Sequence, residues 1–431
     1  MQNIFILGYN NIGDYMLVVK GNNILNGSLS VSGSKNAVLP IIAATLAVDG
    51  TTVINNVPKL DDVTNLCEIL KTIGCKIDFD DHCLKITNSV CDFFPPKELI
   101  NKLRASFIIC GPMLAKYKKI RISLPGGCKI GARPVDLHLK GFVKMGAQIT
   151  EGEGYIELTC SELSGAKICL DFPSVGATEN IVIAATLAKG TTEIINAATE
   201  PEVADLCNFL VNCGADIKGI GTNELIITGV DTLNGCNYHI IPDRIEAGTY
   251  MLATAITGGD VTIQGIDADS LIPITSKLRE MGASIFENKK SIRINCKNKL
   301  SCVNIKTMPH PGFPTDMQAQ FCSLMCNCEG TGIITETIFE NRFMYINELL
   351  RMHAQISVEG RNAIVKGKCK LQGCDVYASD LRAGAALAIA SLCASGTTNI
   401  FNSSYINRGY ENFAEKLKCI GADIYFDNSI D

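Results

Sequence analysis

The chain repeats one corner six times, and few folds accommodate such a repeat. The corner is a helix end followed by a strand start. It reads GCKI at Gly74, GAQI at Gly146, GADI at Gly214, GASI at Gly282, HAQI at His353 and GADI at Gly421. The intervals are 72, 68, 68, 71 and 68 residues. Glycine supplies the left-handed backbone that closes a helix, and five of the six corners carry it. Ahead of each corner comes the same order of segments: a helix rich in small residues, a turn, a short β-branched strand and a second helix. This period exceeds the usual solenoid repeat of about 20–50 residues, so each unit is long enough to be a small layer of its own. Alternating strands and helices argue for an α/β fold with parallel strand pairs. Three units lie on either side of Pro242–Asp243, with no low-complexity linker between them. Two similar packed domains with a crevice between them are expected.

The repeat also points to a site. The turn before each unit's first strand carries Gly50, Gly190, Gly258, Gly330 or Gly396, with Lys118 in the second unit. Fourteen residues upstream of each, the small-residue helix begins, at Asn36, Arg104, Gly176, Arg244, Asp316 and Arg382. Lys35 and Asp380 flank two of these. A cation at a helix N-terminus opposes the macrodipole, so stability alone would not select Lys35, Arg244 or Arg382 there. Gly176, within SVGAT, suits a phosphate resting on helix N–H groups.

The segment LPGGCKIGARPVDLH, Leu124 to His138, presents Cys128 in a glycine-rich loop, with Lys129 beside it and Arg133 five residues on. Neighbouring cations stabilise a thiolate. Gly126, Gly127 and Gly131 let the backbone approach a ligand, and Pro134 stiffens the exit. The loop reads as a reactive thiol next to an anion site.

A chain of 431 residues is too long for one ordinary core. Its net charge of −5 argues against nonspecific nucleic-acid binding but not against an anionic small molecule, which needs only a few converging cations. The N-terminus MQNIFILGYNN lacks the basic region of a signal peptide, and no apolar stretch is long enough to span a membrane. A cytoplasmic protein is expected, with its twenty cysteines reduced. The dense cluster FCSLMCNC, ending at Cys328, lacks the partner half of a zinc site, and no metal is expected.

At the level of motifs the chain resembles the UDP-N-acetylglucosamine enolpyruvyl transferases (1-carboxyvinyltransferases) of bacterial cell-wall synthesis. The resemblance runs from about Met16 onward. It is carried by GSKNA at Gly33, LRAS at Leu103, the cysteine loop, SVGATEN at Ser174, PDRIEAGT at Pro242, FPTDMQAQ at Phe313, ETIFENRF at Glu336, SDLRAG at Ser379 and INRGYE at Ile406. The sister family, 5-enolpyruvylshikimate-3-phosphate synthase, differs at the cysteine loop. The resemblance implies a two-domain inside-out α/β barrel, six repeats of a βαβαββ-type unit with three per domain. Residues 35–242 would form the first domain, residues 1–34 with 243–431 the second, and the active site would lie in the crevice. It implies transfer of enolpyruvyl from phosphoenolpyruvate to the 3-hydroxyl of UDP-N-acetylglucosamine with release of phosphate, by addition and elimination. This is the first committed step of peptidoglycan precursor synthesis. Those two small molecules are the expected partners, with no cofactor, metal, nucleic acid or membrane.

Carried onto this sequence, Cys128 resembles the general acid that protonates phosphoenolpyruvate. Lys35, Arg133 and Arg408 resemble the clamp for its phosphate and carboxylate. Asn36 and Asp316 resemble contacts to the amino sugar, with Asp316 the base for the hydroxyl. Arg133, Pro134, Val135, Asp136 and Leu137 resemble the uridine-binding run. Arg104, Ser174, Val175, Gly176 and Ile338 resemble further nucleotide-sugar contacts, and Asp380 and Arg382 support the reacting centre. Plainer readings stand beside some of these: Asp380 and Arg382 as a local ion pair, Arg104 as a residue at the core edge, Ile338 as packing. Asp61 and Phe172 stand where some members carry lysines. The first fifteen residues look like an extension, with Met16 as an alternative initiator.

Overall fold

The computed structural model describes residues 16–123 and 135–427, with the side chain of Arg104 left out. Cys128, Lys129, Arg133, Pro134 and the glycines of that loop lie outside the described residues, as does the segment before Met16.

The six corners form as the sequence demands. Gly74, Gly146, Gly214, Gly282 and Gly421 all have φ between 98° and 111°, and His353 takes the same left-handed turn at 68°. The second set of turns behaves alike: Gly50, Gly190, Gly258, Gly330 and Gly396 have positive φ, and Lys118 adopts 62° in its place. A residue with a Cβ pays a steric cost there, which the repeat evidently imposes on His353 and Lys118. (Of the eight other non-glycine residues at positive φ among the described residues, five are Asn, a side chain that tolerates that region.)

Six small sheets follow among the described residues, one per unit. Five have the same ladder. A short strand runs parallel to the unit's first strand, which pairs antiparallel with its third, and the third pairs antiparallel with its second. In one sheet Asn237–His239 lies parallel to Thr51–Asn55, which pairs with Cys83–Thr87, which pairs with Lys76–Asp80. The sheet built on Lys119–Ser123 has three strands and only antiparallel pairing. Parallel pairs are therefore present, as expected, but antiparallel ladders outnumber them. The reason is local: tight turns such as Asp81–His82, both at positive φ, fold the second and third strands into a hairpin.

The small-residue helices form the interior. Leu381–Cys393 buries nearly every residue, as does Arg244–Ile256. A helix apolar on all sides has no solvent face and must be surrounded. Glycines allow the close approach: a Cβ at Gly384 would lie 2.8 Å from Ile406, and one at Gly248 would lie 2.8 Å from Ile274. In the second unit the expected α-helical start is different. Arg104–Ile109 is a 3₁₀ segment, and the α-helix begins only at Cys110.

The buried apolar residues fall into two separate clusters. One runs from Val38 to Ile240. The other combines Leu17, Val19, Leu25 and Leu29 with residues from Ile245 to Ile424. Strand Met16–Lys20 lies between Thr397–Phe401 and Asp423–Asp427, so the start of the described chain completes the last sheet. The chain thus passes between the clusters twice, near residues 30–37 and 241–244. The two passages are tied together by Ser34 N–H to the Ile241 carbonyl (2.8 Å), Asp243 N–H to the Ser32 carbonyl (2.9 Å), and Lys35 N–H to Asp243 Oδ2 (3.1 Å).

Candidate active site

The helix starts of the first, fourth, fifth and sixth units converge: Lys35 N–H donates to Asp243, and Arg382 acts electrostatically on both Lys35 and Asp243 and pairs with Asp316. Four of the six starts carry a side-chain cap: Ser34 and Ser174 accept from the N–H groups of Ala37 and Ala177, and Asp243 and Asp380 each accept two N–H groups. Such caps satisfy donors that a helix leaves open. The cations that oppose the dipole at these starts each have a carboxylate partner. Lys35 Nζ lies 2.7 Å from Asp62, Arg382 2.8 Å from Asp316, and Arg244 2.9 Å from Glu202. Short-range pairing at these distances outweighs a helix-end effect of about 0.3–1 kcal/mol.

Asp62 is the centre of the first group. Its carboxylate is shared, Oδ2 with Lys35 and Oδ1 with Arg408 Nε at 2.8 Å. Asp62 belongs to helix Asp61–Thr72, on the first cluster, and Arg408 follows helix Ser404–Asn407, on the second. The pair therefore spans the junction and brings Lys35 and Arg408 together. Two cations and one carboxylate leave a net positive charge, suited to an anion. Burial works against the Asp62 carboxylate, but Lys35 and Arg408 outweigh it and hold its pKa below the ordinary value. Burial pulls the Lys35 ammonium below its ordinary pKa against the opposing pull of Asp62, and the nearby Arg382 and Arg408 add to the lowering. An ammonium so placed gains by acquiring an anionic neighbour.

Asp316 is the centre of the second group. It sits in the 3₁₀ turn Thr315–Met317, just ahead of helix Gln318–Cys326, rather than in the α-helix itself. Its oxygens accept from Arg342 (2.9 Å) and Arg382 (2.8 Å). A carboxylate offers about four lone-pair sites, so it can accept from both guanidinium groups at once. Arg382 also donates to the Tyr410 hydroxyl at 3.0 Å, which in turn meets Thr249 at 2.9 Å. Glu336 is buried and accepts from the hydroxyls of Thr307 (2.9 Å) and Thr315 (2.8 Å) and from Ile338 N–H (2.8 Å). One carboxylate thus fixes both the turn that presents Asp316 and the segment that carries Ile338.

The remaining expected residues are placed as follows. Asp380 caps helix Leu381–Cys393 through Arg382 N–H (2.9 Å) and Ala383 N–H (3.2 Å), while the Arg382 guanidinium turns to Asp316 and Tyr410. Ser174, Val175 and Gly176 form the first turn of helix Val175–Ala185. A Cβ at Gly176 would lie 3.3 Å from the His138 ring, which gives that glycine a steric role besides any ligand contact. Burial pushes the His138 imidazole down to about 4, so the ring is neutral, and its Nδ1 meets Asn180 at 3.0 Å. Val135 and Leu137 are half-buried against the first cluster, and Asp136 opens helix Asp136–Lys144. Asn36 is half-buried in the first turn beside Lys35. Asp61 is exposed at its helix start, and Phe172 is exposed. The structure thus brings together Lys35, Asp62 and Arg408, and Asp316, Arg342 and Arg382. Cys128 and Arg133 lie outside the described residues.

Sequence reasoning missed Asp62, Glu336, Arg342 and Tyr410. Three of these lie within motifs already singled out, ETIFENRF and INRGYE, where several polar residues in an apolar context were the available signal. Asp62 carried none that set it apart from Asp61. No group of three or more His, Cys, Asp or Glu side chains among the described residues could hold a metal ion. No helix among them is long and apolar enough to cross a membrane.

Comparison with known proteins adds a consistent set of likenesses. The family model for EPSP synthase (3-phosphoshikimate 1-carboxyvinyltransferase) matches residues 19–417. The chain is 50% identical over 408 residues to UDP-N-acetylglucosamine 1-carboxyvinyltransferase 1 of Caldanaerobacter subterraneus subsp. tengcongensis, covering 95% of this chain and 98% of the relative. It is 49% identical over 412 residues to UDP-N-acetylglucosamine 1-carboxyvinyltransferase 2 of Clostridium tetani, covering 95% and 99%. Among solved structures it resembles the enolpyruvyl transferase NikO from Streptomyces tendae, with a TM-score of 0.88 and 26% identity over 96% of this chain and 99% of that one. An EPSP synthase from Acinetobacter baumannii, at 20% identity and a TM-score of 0.75 over 96% and 100%, shares the fold. With half its residues identical over nearly the full length of both chains, this chain belongs to the UDP-N-acetylglucosamine 1-carboxyvinyltransferase family of enolpyruvyl transferases.

Proposed function

We infer that this chain transfers the enolpyruvyl group of phosphoenolpyruvate to the 3-hydroxyl of UDP-N-acetylglucosamine and releases phosphate. The observation that carries the reading is the cationic pair Lys35 and Arg408, held across the junction by the buried Asp62, in a chain so similar to known enzymes of this activity. A small polyanion calls for several converging cations. In this reading Lys35, Arg133 and Arg408 bind the phosphate and carboxylate of phosphoenolpyruvate. Cys128 delivers a proton to its methylene carbon, and Asp316 takes the proton of the sugar hydroxyl as it adds to the adjacent carbon. A proton of the new methyl group is then removed to a base of the site as the C–O bond to phosphate breaks, so that the double bond re-forms as an enol ether and phosphate leaves. Asn36 and Arg382 orient the sugar and the base. Arg104, Pro134 to Leu137, Ser174 to Gly176 and Ile338 line the nucleotide.

The two apolar clusters support a division into two domains, residues 35–242 and residues 1–34 with 243–431, each of three related units in an inside-out arrangement. The site then lies in the crevice, and the two chain passages serve as the hinge. Ligand would stabilise the closed arrangement through contacts that an open one lacks. We further place the protein in the cytoplasm, at the first committed step of peptidoglycan precursor synthesis.

The test is phosphate release from phosphoenolpyruvate with UDP-N-acetylglucosamine, with 3-phosphoshikimate, and with neither. Release that depends on the nucleotide sugar supports the reading. Release with the shikimate phosphate alone, or with neither acceptor, overturns it.

A further inference from the structure

Helix Pro201–Asn212 ends at Cys213, and the strand that leads into the second chain passage begins just after Cys236. The two sulfur atoms face each other at 3.5 Å. The backbone fixes both residues: the Cys213 carbonyl accepts from Asn234 N–H at 2.8 Å, and the Cys236 carbonyl accepts from Val53 N–H at 2.9 Å. Cys213 is buried at 2% exposure, whereas Cys236 is half-buried, and Asn212, Gly214, Asn234 and Gly235 around them are exposed. The pair therefore lies directly beneath the surface.

We propose that Cys213 and Cys236 form a dithiol that a peroxide converts to a disulfide, a reversible oxidation site separate from Cys128. Sulfur atoms in a disulfide lie about 2 Å apart, so the pair must close by about 1.5 Å, within the reach of small side-chain rotations. The order of events follows from access. Cys213 sits at a helix C-terminus, where the dipole disfavours a thiolate, and it is shielded from solvent. Cys236 is the sulfur an oxidant reaches. It attacks the O–O bond of hydrogen peroxide, becomes a sulfenic acid and releases one water. The Cys213 sulfur then displaces the sulfenic oxygen, which leaves as a second water as the S–S bond forms. Two thiols lose two electrons in total, and one peroxide is reduced to two waters. Burial raises the pKa of both thiols, so the reaction needs sustained exposure rather than a brief pulse. The bond would join the end of helix Pro201–Asn212 to the strand entering the passage at 241–244. The same helix already holds that passage through Asp205, which accepts from Ile241 N–H at 3.3 Å, and through Glu202, which pairs with Arg244.

The experiment uses the full chain, treated with hydrogen peroxide, freed of peroxide, then blocked with N-ethylmaleimide in denaturant so that buried thiols react, and digested without reductant. The expected result is one linked peptide pair containing Cys213 and Cys236, with parallel loss of both from the alkylated pool and full recovery on dithiothreitol. In Cys236→Ser, Cys213 should stay an alkylatable thiol at the same dose. Recovery of Cys236 as a sulfinic acid with Cys213 still free, attachment of either to another cysteine, or oxidation of Cys213 at an unchanged rate in Cys236→Ser would each overturn the proposal.

Discussion

Replacing Asp62 by Asn removes one negative charge from between two cations and changes little else in shape. The Lys35–Asp62 pair is well shielded, with side-chain exposures of 12% and 4%. Removing one partner of such a pair costs about 3–5 kcal/mol, because the other charge stays buried without compensation. The amide oxygen still accepts one hydrogen bond, worth about 1 kcal/mol, so about 2–4 kcal/mol of stability should be lost. The Arg408 contribution is smaller, since its side chain is 29% exposed and screened. The sign of the pH effect is definite. The folded-state pKa of Lys35 already lies below its unfolded value. Between those two values the unfolded chain binds more protons, so stability rises with pH across that window. Asp62 limits the lowering, and its loss widens the window downward. Asp62→Asn should therefore be least stable near neutral pH and recover towards alkaline pH, starting earlier than the wild type. The alkaline limb of kcat/KM for phosphoenolpyruvate should move to lower pH with it, as Lys35 loses its proton sooner. The assays are denaturant midpoints and steady-state rates across the alkaline range, with Arg408→Ala as a comparison that leaves the Lys35–Asp62 pair intact. An alkaline limb unmoved in Asp62→Asn, with stability within about 0.5 kcal/mol of the wild type, the range of an ordinary surface substitution, would refute the coupling.

Three further outcomes are expected. Asp316→Asn should lower kcat by about 10²–10⁴ while calorimetric affinity for UDP-N-acetylglucosamine changes far less; a joint collapse would make Asp316 a binding residue instead. A brief exposure to an epoxide mimic of phosphoenolpyruvate, such as fosfomycin, should alkylate Cys128 before the other cysteines in peptide mass mapping, and even modification of many cysteines would contradict its role. Glu336→Ala strands the hydroxyls of Thr307 and Thr315 and the N–H of Ile338. It should lower the melting temperature and weaken nucleotide-sugar binding together, and a loss of stability without any change in binding would separate Glu336 from the site.

The sequence by itself determined the parts that local backbone chemistry decides. A left-handed residue ends each repeated helix, and the six corners were readable because glycine marks that conformation; His353 was readable only from its spacing, since its side chain gives no such mark. Four of the six helix starts were legible too, from their fixed distance to the glycine turn, whereas in the second and fifth units a 3₁₀ segment stands there instead. Tertiary structure decided which charge meets which. Asp61 and Asp62 are equivalent in the sequence, both acidic residues in a first helical turn where the dipole favours them. Docking of the second half of the chain leaves Asp61 exposed and buries Asp62 between Lys35 and Arg408, a partner 346 positions away. Arg244 and Arg382 stand at equivalent positions of their repeats, yet one closes on Glu202 at the junction and the other on Asp316. Antiparallel ladders prevail because each sheet makes two antiparallel pairings and at most one parallel one, and tight hairpin turns such as Asp81–His82 need no distant chain to form. Periodicity records what a residue does to its own backbone. The identity of a partner hundreds of residues away is fixed only when the cores pack and exclude water around the charges they enclose.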